Sequence, residues 1–96
     1  MINELLAELK KIFDKVLHEE QNGNYLLTLF SGNEPKYILC IPVKTKEYIY
    51  GKVGRLDNIY TLNCLDFFYS PYGLYIFARN IDEFVSKLSD KIKLLG

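Results

Sequence analysis

Five short segments between residues 25 and 78 are rich in β-branched and aromatic residues, and they constrain the fold more than any other feature. In order, they read YLLTLF (25–30), KYILCIPV (36–43), EYIYGKV (47–53), NIYTLNCL (58–65) and GLYIFA (73–78). The first three separators are short enough for hairpin turns, whereas the longer DFFYSPY leaves room for a helical turn or a bulge. The sequence therefore predicts an antiparallel meander of four or five strands.

Apolar residues spaced three and four apart predict a helix on each side of these strands. The first helix is predicted over residues 2–21, and the stretch QNGN at 21–24 is its stop. The second begins with a capping box formed by Asn80 and Glu83, and it continues to Leu95. The predicted fold is a single α+β domain over residues 1–96. It is a two-layer sandwich of order α-β-β-β-β(-β)-α, with both helices on one face of the sheet.

Charge and hydropathy restrict the partners and the compartment. Lys plus Arg equals Asp plus Glu at 12 each, so the whole chain does not attract nucleic acid or an anionic membrane. No apolar run approaches the roughly 18 residues of a membrane span, and the N-terminus lacks the basic and apolar regions of a signal peptide. We therefore expect a cytoplasmic protein that does not bind membranes.

The residues that usually carry chemistry form no motif. Cys40 and Cys64 lie in strand-like segments, so they are predicted to be buried reduced thiols, with a cross-strand disulfide as the alternative. His18 follows Asp14 by one turn of the predicted helix and is interpreted as a solvated side chain. The stretch GKVGR at 51–55 matches no phosphate-binding loop. We expect no cofactor, no metal site and no catalytic activity.

Aromatic residues are concentrated between positions 63 and 79. Two helices can cover only one face of the predicted sheet, and the aliphatic side chains of the strands suit that face. A shift of one residue would exchange the two faces. The open face should carry Tyr48, Tyr50, Tyr75 and Phe77, with Phe67 and Tyr72 from the adjoining loop. An exposed aromatic area of this kind predicts a homodimer or another macromolecular partner.

Basic residues between positions 44 and 55 suggest an alternative function. Tyrosines separate these basic residues, a combination that can follow a phosphate backbone and stack bases. The other interpretation is a hairpin whose lysines protect an edge strand. Weak binding of single-stranded nucleic acid would use Lys44, Lys46, Lys52 and Arg55 together with Tyr48 and Tyr50.

The order helix, antiparallel meander, helix resembles the frataxin-type sandwich in outline, and less closely the small dimeric secretion chaperones. Lysines offset the carboxylates of the first predicted helix, so the acidic iron-binding edge of frataxin-like proteins is not reproduced. In composition, rich in Leu, Ile, Lys and Tyr and without Trp, the chain resembles the orphan proteins of crenarchaeal, rudivirus-type viruses. The second resemblance implies an accessory protein of the host cytoplasm that acts on host or viral macromolecules.

Overall fold

The computed structural model describes residues 1–45, 47–59 and 62–96, and its centre is a five-stranded antiparallel sheet. The strands follow one another in chain order, which confirms the predicted meander and the α+β class. They are Lys15–Gln21 (β1), Asn24–Ser31 (β2), Glu34–Pro42 (β3), Ile49–Arg55 (β4) and Leu74–Ala78 (β5). The helices are Ile2–Leu9 (α1), Cys64–Tyr69 (α2) and Ile81–Leu95 (α3), and Leu56–Asn58 forms a 3-10 turn.

The two terminal helices pack on the same face of the sheet, as predicted. Leu5 and Leu9 of α1 and Phe84 and Leu88 of α3 are fully buried in one core cluster. The sheet contributes alternate residues of its strands to this cluster because successive side chains of a strand point to opposite faces. They include Leu27, Leu29, Leu39, Ile41, Val53 and Ile76. This shared core fixes which face of β4 and β5 points towards the helices.

Helix α3 begins at the predicted residue. Asn80 is extended, and its side chain accepts a hydrogen bond from the Glu83 amide at 2.8 Å. The Glu83 carboxylate lies 3.0 Å from the Lys87 ammonium one turn later. The hydrogen bond from Lys87 lowers the pKa of the Glu83 carboxyl below its usual range. The cap therefore positions Lys87 beside β5.

The predicted helix over residues 2–21 is wrong beyond Leu9, because residues 15–21 form strand β1. Asn22 and Gly23, with φ of 48° and 80°, make a two-residue turn that pairs Gln21 with Asn24. Such an Asn-Gly turn matches the twist of antiparallel strands, so the hairpin satisfies the backbone groups of both strands. The stretch interpreted as a helix stop is therefore a hairpin turn.

The predicted strand over residues 58–65 is also wrong, although residues 60 and 61 lie outside the described part of the chain. The Asn63 side chain accepts hydrogen bonds from the amides of Leu65 and Asp66 at 2.9 and 3.3 Å, and so begins α2. Helix α2 packs through Phe67 on the second face of the sheet, against Leu26 and Ile38. That face, predicted to be open, is therefore partly covered.

A disulfide joins Cys40 of β3 to Cys64, the first residue of α2. Their Cα atoms are 5.7 Å apart, and both residues are buried. The prediction of two reduced thiols is therefore wrong, and the disulfide alternative is the observed state. The partner of Cys40 is therefore a residue of a helix and not a residue of a neighbouring strand. The disulfide holds the start of α2 on the sheet.

Candidate interaction surface

Four aromatic rings from three elements meet on the second face of the sheet, beside α2. The register pairs Tyr50 of β4 with Phe77 of β5, and alternation places Tyr75 on the same face. The Tyr50 and Phe77 ring centroids are 5.9 Å apart, and those of Tyr75 and Phe77 are 6.2 Å apart. Phe68 of α2 completes the set, 6.3 Å from Tyr75. These four residues, Tyr50, Phe68, Tyr75 and Phe77, are called the aromatic cluster below.

The aromatic cluster is partly open to solvent. Tyr75 is 43% exposed and Phe77 is 57% exposed, whereas aromatic side chains usually bury most of their area. Tyr48 and Tyr72 are also exposed, just before β4 and just before β5. Among the residues predicted for the open face, Phe67 alone is buried, because it anchors α2 to the sheet. Phe68 takes the surface position that the sequence assigned to Phe67.

Sequence reasoning missed Phe68 because it interpreted residues 58–65 as a strand and left DFFYSPY as a connection. A signal was present in the stretch NCLD, where an Asn precedes an acidic residue by three positions. That spacing is typical of a helix start. A helix beginning at Cys64 places Phe67 and Phe68 on adjacent faces, one towards the sheet and the other towards the aromatic cluster.

Lys52 lies beneath the aromatic cluster and is buried, with 2% of its surface exposed. Its ammonium donates to the Phe67 carbonyl at 2.8 Å and to the Ser70 carbonyl at 2.6 Å, at the C-terminal end of α2. The ammonium also lies 4.9 Å from the Phe67 ring centroid and 5.1 Å from that of Tyr75. Burial lowers the pKa of the Lys52 ammonium from its usual value. Lys52 therefore serves α2 as a C-terminal cap.

Two further contacts fix α2 to the sheet. The Tyr75 hydroxyl donates to the Phe68 carbonyl, so one cluster residue binds the backbone of another. Gly54 of β4 lies under the Phe67 ring, and a Cβ added there would be 2.9 Å from the ring Cζ. The absence of a side chain at position 54 allows Phe67 to approach the sheet. Tyr75 is thus both a surface ring and a structural contact.

The four basic residues predicted for nucleic-acid contact do not form one surface among the residues described. Lys52 is buried, and Arg55 forms an ion pair with Asp57 at 2.6 Å. Arg55 pairs in register with Tyr37, whose ring belongs to the core under α1 and α3. Lys44 and Tyr48 are both exposed, and Lys46 lies outside the described residues. The structure brings Lys52 to the aromatic cluster and places Arg55 on the opposite face.

The positions of His18 and Asp14 differ from those expected. His18 is an exposed residue of β1, and the Asp14 carboxylate accepts a hydrogen bond from the Gly32 amide. They therefore do not lie one helical turn apart. Within residues 1–45, 47–59 and 62–96, no three His, Cys, Asp or Glu side chains lie close enough together to hold a metal ion. In the same ranges, no helix is long and apolar enough to cross a membrane.

The chain was compared with known protein families, with curated proteins and with solved structures. None of the three comparisons gave a match. The resemblance to viral orphan proteins rests on composition and stays a prediction.

Proposed function

We propose that this chain is a non-catalytic interaction module that self-associates through the aromatic cluster. The observation that supports the proposal is the stacking of Tyr75 and Phe77 on one face with about half of each side chain exposed. Association becomes more favourable when a partner removes the faces of exposed stacked rings from water. A second copy is the partner proposed, because a two-fold axis brings the same patch of each chain together.

Charge favours a second copy over an oppositely charged partner. The chain has zero formal net charge, so two copies approach without long-range repulsion. Lys52, which belongs to the cluster's floor, already donates to the backbone of α2. The cluster therefore presents ring faces rather than an unsatisfied ammonium to the partner. An apolar self-complementary contact fits such a surface.

Helix α2 covers part of the second face of the sheet, and the area that remains determines the expected affinity of the dimer. A fully open face would offer about 500 Å² per chain from strand spacing and rise, and α2 covers the part over Leu26 and Ile38. The remaining area is below the roughly 800 Å² per partner of a standard interface. Three exposed tyrosines close in sequence to the strands and helix of the cluster, Tyr48, Tyr69 and Tyr72, can add to it. We therefore expect a weak dimer, with a Kd in the micromolar range or above.

The test is sedimentation velocity of the wild type and of Phe77→Ser over a range of concentrations. Phe77 is chosen because its ring makes cluster contacts, whereas Tyr75 also bonds the α2 backbone. The wild type should show a concentration-dependent dimer, and Phe77→Ser should weaken dimerisation by at least about tenfold, as an aromatic anchor near an interface centre does. Circular dichroism should show that the variant keeps the wild-type fold.

Leu17→Ser is the matched control. Leu17 is 47% exposed on β1, at the opposite end of the sheet from β5, so its replacement also removes an exposed apolar side chain. The dimer should form equally well in this control. A wild type that stays monomeric up to about 1 mM, where dimers with free energies near 4 kcal/mol would appear, contradicts the proposal. So does a dimer that Leu17→Ser weakens as much as Phe77→Ser.

The alternative, weak binding of single-stranded nucleic acid, is supported by the exposure of Lys44 and of Tyr48, which follows it by four positions in the sequence. Because Lys52 is buried and Arg55 is paired, at most two lysines remain for phosphates, which predicts a log–log salt slope no steeper than about −1.4. Fluorescence anisotropy with a labelled oligonucleotide measures that slope. Binding that persists after Lys44→Gln and Lys46→Gln would exclude this site.

The disulfide bears on the proposed compartment. Disulfides persist in oxidising compartments, and they are also common in the intracellular proteins of hyperthermophilic archaea. The Cys40–Cys64 disulfide is therefore compatible with the expected cytoplasmic location only in the cells of hyperthermophilic archaea. The proposed setting, the cytoplasm of a hyperthermophilic archaeon infected by a rudivirus-type virus, is such a case. Thiol titration of the protein isolated from its natural source would show whether Cys40 and Cys64 are bonded there.

A further inference from the structure

Strand β5 is an edge of the sheet, and its outer backbone groups belong to Tyr75 and Phe77. The strand order leaves β5 paired only with β4 in the described part of the chain. The Phe77 carbonyl accepts a hydrogen bond from the Lys87 ammonium at 2.7 Å, so it points away from β4. In an antiparallel pair, alternate residues point their N–H and C=O groups to the same side. The backbone groups of Tyr75 therefore point outwards as well.

A groove runs along this edge between β5 and α3. Its volume is about 320 Å³, and its lining includes the outward residues Tyr75 and Phe77 with Lys87, Asp90, Lys91 and Leu94 of α3. One wall is a strand edge, and the other is a helix that carries two lysines one turn apart. A strand edge beside a helix is the arrangement in which an extended peptide can add a strand to a sheet.

The two sides of an added strand would meet different chemistry. Residues on one side would continue the face of Tyr75 and Phe77 and contact their rings. Residues on the other side would face α3, where Lys87 and Lys91 outnumber Asp90 within the groove. The Glu83 carboxylate, which lies outside the lining and 3.0 Å from the Lys87 ammonium, would compete for Lys87 with an acidic residue of the added strand. Because side chains of a strand alternate between the faces, the complementary sequence alternates apolar and acidic residues. Lys87 now donates to the Phe77 carbonyl, and the added strand would donate there in its place.

We propose that the groove between β5 and α3 binds an extended acidic segment of a partner protein, which adds to β5 as a sixth strand. This proposal rests on the strand edge, whereas self-association rests on the ring faces of the aromatic cluster; the rings of Tyr75 and Phe77 take part in both. A second copy fits this groove poorly. Antiparallel pairing of two β5 strands would place both α3 helices on the same face and bring two sets of lysines together.

The test uses two fluorescein-labelled heptapeptides, one of alternating valine and glutamate and one of alternating valine and lysine. Fluorescence anisotropy should show that the glutamate peptide binds at least about tenfold more tightly than the lysine peptide. The lysine peptide would place its positive charges beside those of Lys87 and Lys91, and this repulsion opposes its binding. Amide hydrogen exchange read by NMR should show new protection at Tyr75 and Phe77. The Ile76 amide, which faces β4, should change less.

Charge-reversed variants complete the design. Lys87→Glu with Lys91→Glu should reverse the order of the two peptides, whereas Lys93→Glu, a like change on α3 outside the groove, should preserve it. Equal affinity for both peptides would overturn the proposal. So would the absence of binding at about 1 mM peptide, the weak limit of a specific contact, or protection that avoids Tyr75 and Phe77.

Discussion

The Lys52 ammonium lies 2.8 Å from the Phe67 carbonyl oxygen, so a buried cation of the sheet caps the C-terminal end of α2. Replacing Lys52 by Met keeps most of the apolar stem and removes the donor. The free energy of unfolding should fall by about 1–3 kcal/mol, because the carbonyls of Phe67 and Ser70 lose their partner. Urea denaturation measures the loss. Lys44→Met, at an exposed position, should change the stability little, and equal losses in the two variants would contradict the cap.

The same lysine predicts a pH dependence. Burial lowers the pKa of Lys52 in the folded chain, so between this pKa and the unfolded value of about 10.4 the unfolded chain binds more protons. Within that window, the free energy of unfolding of the wild type should rise with pH relative to that of Lys52→Met. Paired urea titrations at several pH values up to about 10 measure this difference. A difference that falls with pH would show that the hydrogen bonds outweigh burial.

Loss of the disulfide should destabilise the fold. Cys40 and Cys64 are 24 residues apart, and closing a loop of that length in the unfolded chain corresponds to about 3.5 kcal/mol. Reduction with dithiothreitol and the double variant Cys40→Ala, Cys64→Ala should both lower the free energy of unfolding by a comparable amount. The double variant should be insensitive to the reductant. Two reactive thiols in the unfolded, unreduced wild type would show that the bond is absent.

Gly54→Ala should destabilise the protein through one contact. The new Cβ would lie 2.9 Å from the Phe67 ring, so α2 or the ring must shift, at a cost of about 1–3 kcal/mol. Phe67→Leu removes the outer ring atoms, and in its presence Gly54→Ala should cost much less. A double-mutant cycle measured by thermal denaturation reports this coupling. If the losses of stability from Gly54→Ala and Phe67→Leu are additive, the Phe67 ring is not what makes a side chain at position 54 unfavourable.

Tyr75→Phe separates the two roles of Tyr75. The variant retains the ring but loses the hydrogen bond from the hydroxyl to the Phe68 carbonyl, so the free energy of unfolding should fall by about 0.5–1.5 kcal/mol. Dimerisation through the aromatic cluster should be unchanged. Tyr69→Phe is the control, since Tyr69 is 89% exposed. A Tyr75→Phe variant as stable as the wild type would remove the structural role of the hydroxyl.

The sheet could be predicted from the sequence because its strands obey local rules. Alternation in β4 and β5 placed Ile49, Val53 and Ile76 towards the helices and Tyr50 towards the other face. Strand β1 could not be separated from a helix by spacing, because Val16 and Leu17 fit both periods. The Asn22–Gly23 pair was interpreted as a helix end. It is also typical of a two-residue hairpin turn, and that interpretation would have indicated a strand on each side.

The floor of the candidate surface could not be predicted, because it depends on contacts between distant segments. Alternation gave Lys52 the correct face but not its burial, which requires α2 to lie above it. The disulfide depends on the same helix, since Cys64 meets Cys40 only when residues 64–69 fold back over β3. The misassignment of residues 58–65 is therefore the reason that the cap and Phe68 were missed and that the disulfide was only the alternative prediction.

The meander has a consequence for the order in which the chain folds. Every strand pairs with the strand next to it in sequence, so the sheet can grow strand by strand. The first three connections close short loops, whereas β4 and β5 are joined through residues 56–73, which include α2. Helices α1 and α3 come from opposite ends of the chain, and they meet only on a sheet that already offers its core face. The sheet is thus suited to form the folding nucleus, and the docking of the terminal helices is suited to be the last step.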